Sequence, residues 1–263
     1  MTDTRAAEIA AQRLREAEAT GVPCAPVRDL LGATDLAAAY AAQHLNTQRR
    51  LAAGARVAGR KIGLTNPAVQ QQLGVDQPDY GALFGDREVP NGGEAPWREM
   101  MQPRVETEIA FVLGRDLPSA NIGAADMLSA IEYALAAIEI VGSRIENWDI
   151  RITDTIADNA SASHFVLGHR PVRLHRFDLL QCAMSMELNG AQVSTGIGAN
   201  CLGSPVNAAL WLAKTMAAHG QPLRAGDVVL TGALGPVVPV QSGDRVTAAI
   251  EGLGSVSVRF SPQ

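Results

Sequence analysis

Apolar and polar positions in the first part of the chain recur with the period of an α-helix. The segment Thr4–Thr20 is rich in Ala, Glu and Arg at helical spacing, and Gly21 is placed to end a helix. A second helix is predicted from about Asp35, a candidate N-cap, to Gly54. Residues 1–55 are therefore expected to form a small N-terminal helical region.

From Ala55 onward the pattern changes to short β-prone segments separated by Gly, Pro, Asn and Asp. The run RVETEIAFVLG, residues 104–114, is the clearest predicted strand. A helix is predicted over Ala124–Ala137, leading into the apolar strand IEIVGSRI. Residues 56–263 are expected to form one strand-rich domain.

Strands dominate the pattern after Asn159. The segments are HFVLG, AMSMELNGAQVS with a hairpin signal at Asn189-Gly190, DVVLTG, and DRVTAAIEGLGSVSVRF. One helix interrupts them, with Ser204 as candidate N-cap, Pro205 in its first turn and Gly220 at its end. No fixed-period repeat and no sustained heptad occurs, so an array or a coiled coil is not indicated.

Composition and charge narrow the range of partners. Of 263 residues, 47% are hydrophobic and 19% charged, an ordinary globular balance. The net charge of -5, with no basic cluster beyond Arg49-Arg50, argues against nucleic acid. Three cysteines without C-x-x-C spacing indicate reduced thiols. The charged first residues and the lack of a long apolar run favour a cytoplasmic protein that is neither secreted nor membrane-bound.

Three glutamates lie in a pattern that points to metal binding. Glu106 and Glu108 are two positions apart in one predicted strand, so both side chains leave the same face. Alternation alone leaves two interpretations open, a solvated face of an edge strand or converging carboxylates. Glu139 lies in the apolar run LAAIEIVG, where a buried carboxylate needs a cation. Carboxylates without histidine or cysteine form a hard oxygen set that suits Mg²⁺ or Mn²⁺.

Two further residues and one turn are candidates for chemistry. Lys61, in GRKIG, is either a buried lysine that a ligand can approach or a surface lysine at a strand edge. Asp79, in QPDYG, is either a functional carboxylate or a turn residue. The segment TGALGP, residues 231–236, is either an anion-binding nest of backbone N–H groups or a tight turn. These residues identify no function by themselves.

Several enzyme classes are not indicated because their motifs are missing. The five histidines form neither H-x-x-x-H nor H-E-x-x-H, and no serine lies in a G-x-S-x-G elbow. Gly252 and Gly254 lack the context and the third glycine of a dinucleotide fingerprint, and no Walker A motif occurs. The sequence therefore argues against a zincin, an α/β-hydrolase and a nucleotide-binding enzyme.

Seven segments carry a family resemblance that runs nearly end to end. They are APVRDLLG, GRKIGLTNPAVQQQLGVDQPDYGALF, QPRVETEIAFVLGRDLP, AIEIVGSRI, DTIADNAS, CLGSPVNAALWLAKTMA and LTGALGPVVPV. In these segments the chain resembles the 2-hydroxypenta-2,4-dienoate hydratases, also called 2-keto-4-pentenoate hydratases, of the fumarylacetoacetate hydrolase superfamily.

The resemblance implies an α+β fold, a β-rich roll of mixed sheets with a small N-terminal helical region, in which residues 56–263 form the metal-binding catalytic β-roll domain. It also implies a divalent metal, Mg²⁺ or Mn²⁺, with ligands at Glu106, Glu108 and Glu139. Catalytic groups are implied at Lys61 and Asp79. Substrate contacts are implied at Ser161, Thr231 and Gly232.

The implied reaction adds water to 2-hydroxypenta-2,4-dienoate and gives 4-hydroxy-2-oxopentanoate, in the meta-cleavage catabolism of aromatic compounds. The related 4-oxalocrotonate decarboxylases share the glutamates and the lysine. In them the position after the proline of the GV-x-x-P segment tends to be apolar, whereas here it is Asp79, which favours the hydratase. Hydrolysis of a C–C bond ranks third, because no His-Glu spacing near Lys61 or Glu106 matches the pair that those hydrolases use.

The resemblance also carries expectations about assembly. It implies a homo-oligomer larger than a dimer, which is consistent with the general prevalence of closed symmetric assemblies. It further implies association with a downstream aldolase or a paired decarboxylase. A non-catalytic partner subunit of such a decarboxylase is the remaining alternative, and the retention of Lys61 and all three glutamates argues against it.

Overall fold

The computed structural model describes residues 4–66, 70, 75 and 77–263. Residues 67–69, 71–74 and 76, within the resembling segment GRKIGLTNPAVQQQLGVDQPDYGALF, lie outside the described residues, as do residues 1–3. The described helices are α1 (Thr4–Thr20), α2 (Arg28–Leu31), α3 (Leu36–Ala52), α4 (Ala124–Ala130), α5 (Ile152–Ala157) and α6 (Pro205–Ala218). Among them, none combines the length and the apolar character needed to cross a lipid bilayer.

The described strands form two mixed sheets. They are β1 (Val57–Gly63), β2 (Asp79–Phe84), β3 (Glu88–Val89), β4 (Glu94–Ala95), β5 (Arg104–Leu113), β6 (Ile131–Val141), β7 (Ala162–Leu167), β8 (Ala183–Leu188), β9 (Ala191–Ile197), β10 (Val228–Ala233), β11 (Val238–Pro239), β12 (Arg245–Ile250) and β13 (Gly254–Phe260). The larger sheet has the order β2-β1-β10-β5-β6-β7-β3, with β11 beside β5, and the smaller has the order β4-β13-β12-β8-β9. Strands β1 and β10 are parallel, whereas β5 is antiparallel to both of its main neighbours.

The larger sheet curls into a roll, because β2 near one edge contacts β7 near the other. Its outer face packs against the smaller sheet and α6, with Ile109 and Phe111 of β5 in the same apolar core as Val256. Its inner face holds a second apolar cluster that includes Ala110 and Phe165. Side chains two positions apart on β5 therefore share the interior of the roll. The predicted α+β fold with mixed sheets is confirmed.

Local capping signals account for the helix boundaries. Helix α1 spans the predicted residues and is followed by Gly21 at φ 68°. The Asp35 side chain accepts the Ala38 N–H at 3.0 Å, as its predicted capping role requires. Ser204 caps α6, with Pro205 in the first turn, also as predicted. The hairpin between β8 and β9 turns at Asn189-Gly190, both at positive φ.

The N-terminal helices pack on the roll through α5. Alanines of α1 and α3 share an apolar cluster with Ile145, Ile152 and Ile156. The buried carboxylate of Asp154 accepts the backbone N–H groups of Val27 and Arg28 at 2.8 Å each. Helix α5 therefore lies between the N-terminal helices and the sheet.

The helix predicted over Ala124–Ala137 is wrong in its second half. Helix α4 ends at Ala130, and β6 begins at Ile131, whose backbone is extended with ψ of 116°. Ala137 pairs with Glu108 of β5, and Ala134 to Ala137 are buried within the sheet. Alanine has a high intrinsic helix propensity, but pairing with β5 decides the conformation here.

Candidate active site

Three carboxylates converge on the inner face of the roll. Glu106 and Glu108 of β5 face the interior, and Glu106 lies directly opposite Glu139 of β6. One carboxylate oxygen from each residue lies within 4.8 Å of the other two. Glu108 and Glu139 are fully buried, whereas Glu106 is partly exposed. Because β5 lies between β10 and β6, the interpretation of a solvated edge strand is wrong.

The carboxylate oxygens of the glutamate cluster outnumber the hydrogen bonds donated to them. Glu108 Oε2 accepts the Gly232 N–H at 2.7 Å, but Glu108 Oε1 and both Glu139 oxygens have no hydrogen-bond partner. Burial and repulsion from Glu139 raise the pKa of Glu106 to about 7, and the same causes raise the pKa of Glu108 well above its usual range. Unpaired buried carboxylate oxygens are the donor set that a hard divalent cation needs.

Lys61 supplies a positive charge beside this cluster. It lies on β1, is 4% exposed, and its Nζ is 3.4 Å from Glu139 Oε1, close enough for an ion pair but outside hydrogen-bond geometry. The surface-lysine interpretation is therefore wrong. Burial lowers the pKa of Lys61, but attraction to the carboxylates, above all Glu139, outweighs burial and raises the pKa overall.

Asp79 faces the same interior from the neighbouring strand. It opens β2 opposite Gly63 and is 1% exposed, so the turn interpretation is wrong. Its Oδ2 accepts a hydrogen bond from Thr155 Oγ1 at 3.4 Å, and its Oδ1 has no partner. Burial raises the pKa of Asp79, and the Lys61 ammonium opposes that rise. A side chain at Gly63 would not fit, since its Cβ would lie 2.2 Å from Asp79 Oδ1.

Ser161 lies next to Asp79 on a strained segment. Its buried hydroxyl is 3.3 Å from Thr155 Oγ1, so Thr155 touches both predicted site residues. Asn159, Ala160 and Ser161 all have φ between 50° and 58°, a left-handed run that costs non-glycine residues free energy. Two hydrogen bonds between the Asn159 side chain and the Ala82 backbone, at 2.7 and 2.9 Å, hold this run against β2.

Thr231 and Gly232 support the glutamates from β10. The Thr231 hydroxyl donates to the Ile109 carbonyl at 2.8 Å, and the Gly232 N–H donates to Glu108. Gly232 has φ 111°, and a Cβ there would lie 2.3 Å from the Thr65 hydroxyl oxygen. One N–H group of TGALGP, that of Gly232, thus donates to the chain's own Glu108 carboxylate.

Sequence reasoning missed Thr155, which the structure brings between Asp79 and Ser161. The sequence does hold one indication of Thr155, because it lies in DTIADNAS, the segment that also contains Ser161. Thr65 was missed as well, although it follows Lys61 closely in the sequence and packs against Gly232.

A cleft opens beside Glu106. It is lined by Ile62, Gly63, Leu64, Thr65, Asn66, Asn200 and residues 233–237. Among the described lining residues, Glu106 carries the only charged side chain. The cleft therefore offers apolar and neutral polar contacts next to the carboxylate cluster.

Comparison with known proteins places this site in a family context. The sequence model of the family described as fumarylacetoacetate (FAA) hydrolase C-terminal matches residues 67–261. The chain is 59% identical over 258 residues to "TodF product hydratase" of Pseudomonas putida, covering 98% of this chain and 96% of that protein. It is 56% identical over 256 residues to "2-keto-4-pentenoate hydratase 2" of Dechloromonas aromatica, covering 97% of this chain and 98% of that protein.

A solved structure shares nearly the whole fold. It is 4-oxalocrotonate decarboxylase from Pseudomonas putida G7, complexed with magnesium and adipate. The TM-score is 0.93 at 34% sequence identity, and the match covers 99% of this chain and 98% of that chain.

Proposed function

Since this chain belongs to the fumarylacetoacetate hydrolase family, and within it to the 2-keto-4-pentenoate hydratases, we propose that it converts 2-hydroxypenta-2,4-dienoate and water into 4-hydroxy-2-oxopentanoate. The observation that carries the proposal is the buried carboxylate cluster with unpaired oxygens, placed beside Lys61 and Asp79 on the inner face of the roll. We further propose that the pathway it serves is the meta-cleavage catabolism of aromatic compounds.

Glu106, Glu108 and Glu139 are the residues we propose as metal ligands, for Mg²⁺ or Mn²⁺. Three of their buried oxygens lack any hydrogen-bond partner, so a cation would satisfy groups that are otherwise costly to bury. The magnesium in the related decarboxylase supports a divalent ion. When bound there, such an ion would offset most of the negative charge of the three glutamates and would polarise the oxygen on carbon 2 of the substrate.

The reaction requires controlled movement of protons. The 2-hydroxyl loses its proton while carbon 5 gains one, which converts the dienol into an α,β-unsaturated ketone. Water then adds its oxygen to carbon 4, and carbon 3 takes up a proton. The Lys61 ammonium stabilises negative charge on the 2-oxygen, and Asp79, through its unpaired Oδ1, accepts and delivers protons.

The remaining predicted residues take supporting roles in the proposal. Ser161 is the residue we propose as a substrate contact, and the 3.3 Å distance between its hydroxyl and Thr155 Oγ1 links it to Asp79. Gly232 acts at the substrate site through Glu108, to which its N–H donates. Thr231 supports that turn through the hydrogen bond from its hydroxyl to the Ile109 carbonyl.

The cleft favours hydration over decarboxylation. The substrate of the alternative reaction, 2-oxohex-3-enedioate, carries a second carboxylate. The described cleft residues provide no cation to pair with that group, and the sequence from Leu64 to Asp79 contains no lysine or arginine.

A turnover assay tests the proposed function. Purified enzyme with Mg²⁺ or Mn²⁺ is given 2-hydroxypenta-2,4-dienoate, its methylated homologue and 2-oxohex-3-enedioate in parallel. We expect loss of dienol absorbance and formation of 4-hydroxy-2-oxopentanoate, without CO₂ release from the diacid. Release of CO₂ from the diacid with no hydration of the dienoate would favour the decarboxylase and overturn the proposal.

We also propose how the chain is organised and assembled. Residues 1–55 form a helical region that supports α5, and residues 56–263 form the catalytic domain. The protein forms a homo-oligomer larger than a dimer in the cytoplasm, where its three free cysteines stay reduced. Its product is a β-hydroxy ketone, the natural substrate of a retro-aldol cleavage, so a downstream aldolase or a paired decarboxylase is the proposed partner. Light scattering that gives the mass of a single chain would contradict the oligomer.

A further inference from the structure

We infer that Thr155 is a positioning residue that orients the Asp79 carboxylate so that its unpaired oxygen faces the reacting substrate. The inference rests on the proposed function, in which Asp79 moves protons. Thr155 lies on α5 and is buried. Its side chain is hydrogen-bonded to Asp79 and Ser161, and neither of these bonds involves the three glutamates.

The two oxygens of Asp79 have different surroundings. Oδ2 accepts the Thr155 hydroxyl at 3.4 Å, whereas Oδ1 is buried without a partner and lies against the backbone of Gly63. The two oxygens of a carboxylate are chemically equivalent, so what matters is the plane in which the group lies. The hydrogen bond from Thr155 at one oxygen and the close approach of Gly63 at the other hold the Asp79 carboxylate in one plane, with one oxygen left unpaired.

The hydroxyl groups form a path with a defined direction. When Asp79 is ionised, it can only accept, so Thr155 donates to Asp79 and the Ser161 hydroxyl donates to Thr155. When Asp79 is protonated, each of these bonds can reverse, because a hydroxyl both donates and accepts. Thr155 thus stabilises both protonation states that a proton-transfer group passes through.

Helix α5 holds Thr155 rigidly. The neighbouring Asp154 is fully buried and accepts the backbone N–H groups of Val27 and Arg28 at the start of α2, and its other oxygen pairs with the Arg28 guanidinium at 2.7 Å. The backbone that carries Thr155 is therefore anchored independently of Asp79.

A matched pair of variants tests the inference. Thr155→Val keeps the shape of the side chain and removes the hydroxyl. Thr153→Val makes the same change at a buried residue of the same helix whose hydroxyl has no partner, so it controls for packing. We expect Thr155→Val to lower kcat by about tenfold or more, the scale of one hydrogen bond to a charged group, with KM and metal affinity within about twofold of wild type. Thr155→Ser restores most of the rate, and Thr153→Val has no effect.

A double-mutant cycle separates positioning from general stability. In an Asp79→Asn background, Thr155→Val should cause no further loss of kcat, because the carboxylate that it positions is already gone. The inference is overturned by wild-type kcat in Thr155→Val, by an equal loss in Thr153→Val, or by an undiminished loss in the Asp79→Asn background. If Thr155→Val does not fold, Thr155→Ala takes its place in the cycle.

Failure of the inference is distinguishable from failure of the proposed function. If the wild-type enzyme does not hydrate the dienoate, the proposed function fails, and carbon-13 NMR of the Asp79 carboxyl then decides the positioning role alone. Loss of the donated hydrogen bond should raise the pKa of Asp79 in Thr155→Val but not in Thr153→Val. An identical pKa in both variants would overturn it.

Discussion

Among single residues, charge balance is the dominant feature of the site. Four carboxyl groups, those of Asp79 and the three glutamates, lie around one buried ammonium group, that of Lys61. Removing one of these side chains therefore changes the pKa values of the others, in addition to removing any direct role that the side chain has in catalysis. Metal affinity and turnover must be measured separately to distinguish the two effects.

Asp79→Ala should affect turnover and spare metal binding. We expect kcat to fall by about 10²-fold or more, the usual scale for a lost general acid or base, because Asp79 is the carboxylate outside the glutamate cluster. Lys61→Ala should impair both KM and kcat. Steady-state kinetics with calorimetric titration of Mg²⁺ or Mn²⁺ checks both. If Asp79→Ala turned over at the wild-type rate, the proton-transfer role would belong to another group.

His164 links stability to pH. It is buried on β7, 3.3 Å from the Arg87 guanidinium, and burial together with that charge lowers the pKa of His164 to about 3. The unfolded chain, with a histidine pKa of about 6.5, binds the proton more readily, so stability falls as pH drops from about 6.5 towards 3.

Urea unfolding at pH 7 and pH 5 measures this linkage. When the pH is lowered from 7 to 5, His164 should reduce the unfolding free energy of the wild type by about 2 kcal/mol. His164→Gln should not show this loss. Equal losses in the two proteins would contradict the pKa of His164 given above.

At the scale of secondary-structure elements, the close contact between β1 and β2 fixes the positions of the Lys61 and Asp79 side chains. The Cβ of an alanine at Gly63 would lie 2.2 Å from Asp79 Oδ1 and 3.3 Å from Lys61 Nζ, so one of them has to move. We expect Gly63→Ala to lower kcat by roughly the factor of Asp79→Ala, about 10²-fold, while metal affinity is kept. Gly123→Ala is the control, since its nearest contact is 3.9 Å away. Unchanged kinetics in Gly63→Ala would show that Asp79 has room to shift.

Helix ends were predictable from sequence because their signals are local. Asp35 and Ser204 act as caps through backbone groups two or three residues away, so the residues that decide the boundary are adjacent in sequence. The boundary between α4 and β6 was not predictable in this way. Ala134 to Ala137 become extended because β5, about 25 residues upstream, pairs with them.

The same distinction applies to the site. The two-residue spacing of Glu106 and Glu108 and the apolar surroundings of Glu139 are local signals, and they indicated convergence on one face. Lys61 and Asp79 were candidates from the sequence, but their burial was left open because it depends on β10 and α5, and their catalytic role came only from the family resemblance. Thr155 could not be found from local pattern, because its partner Asp79 lies 76 positions away in the sequence. The confirmed hydratase family rests on segments too long to agree by chance.

For the whole molecule, the metal site proposed at the three glutamates predicts that metal binding raises stability. A ligand that binds only the folded state adds about 2.7 kcal/mol at a concentration 100 times its Kd. We expect a chelator to abolish turnover and lower Tm, and readdition of Mg²⁺ or Mn²⁺ to restore both. Glu139→Gln should bind metal much more weakly and show a smaller rise in Tm. Full activity of a rigorously metal-free preparation would refute the metal site.

The parallel pairing of β1 with β10 sets the order in which a newly made chain can become active. Lys61 lies opposite Leu230, and the Gly232 N–H donates to Glu108, so the strand that completes the site is made after all the strands that carry the glutamates, Lys61 and Asp79. A nascent chain ending before Val228 contains all three glutamates and Asp79 but lacks the strand that joins β1 to β5. Assembly of the candidate site during synthesis therefore has to wait for β10.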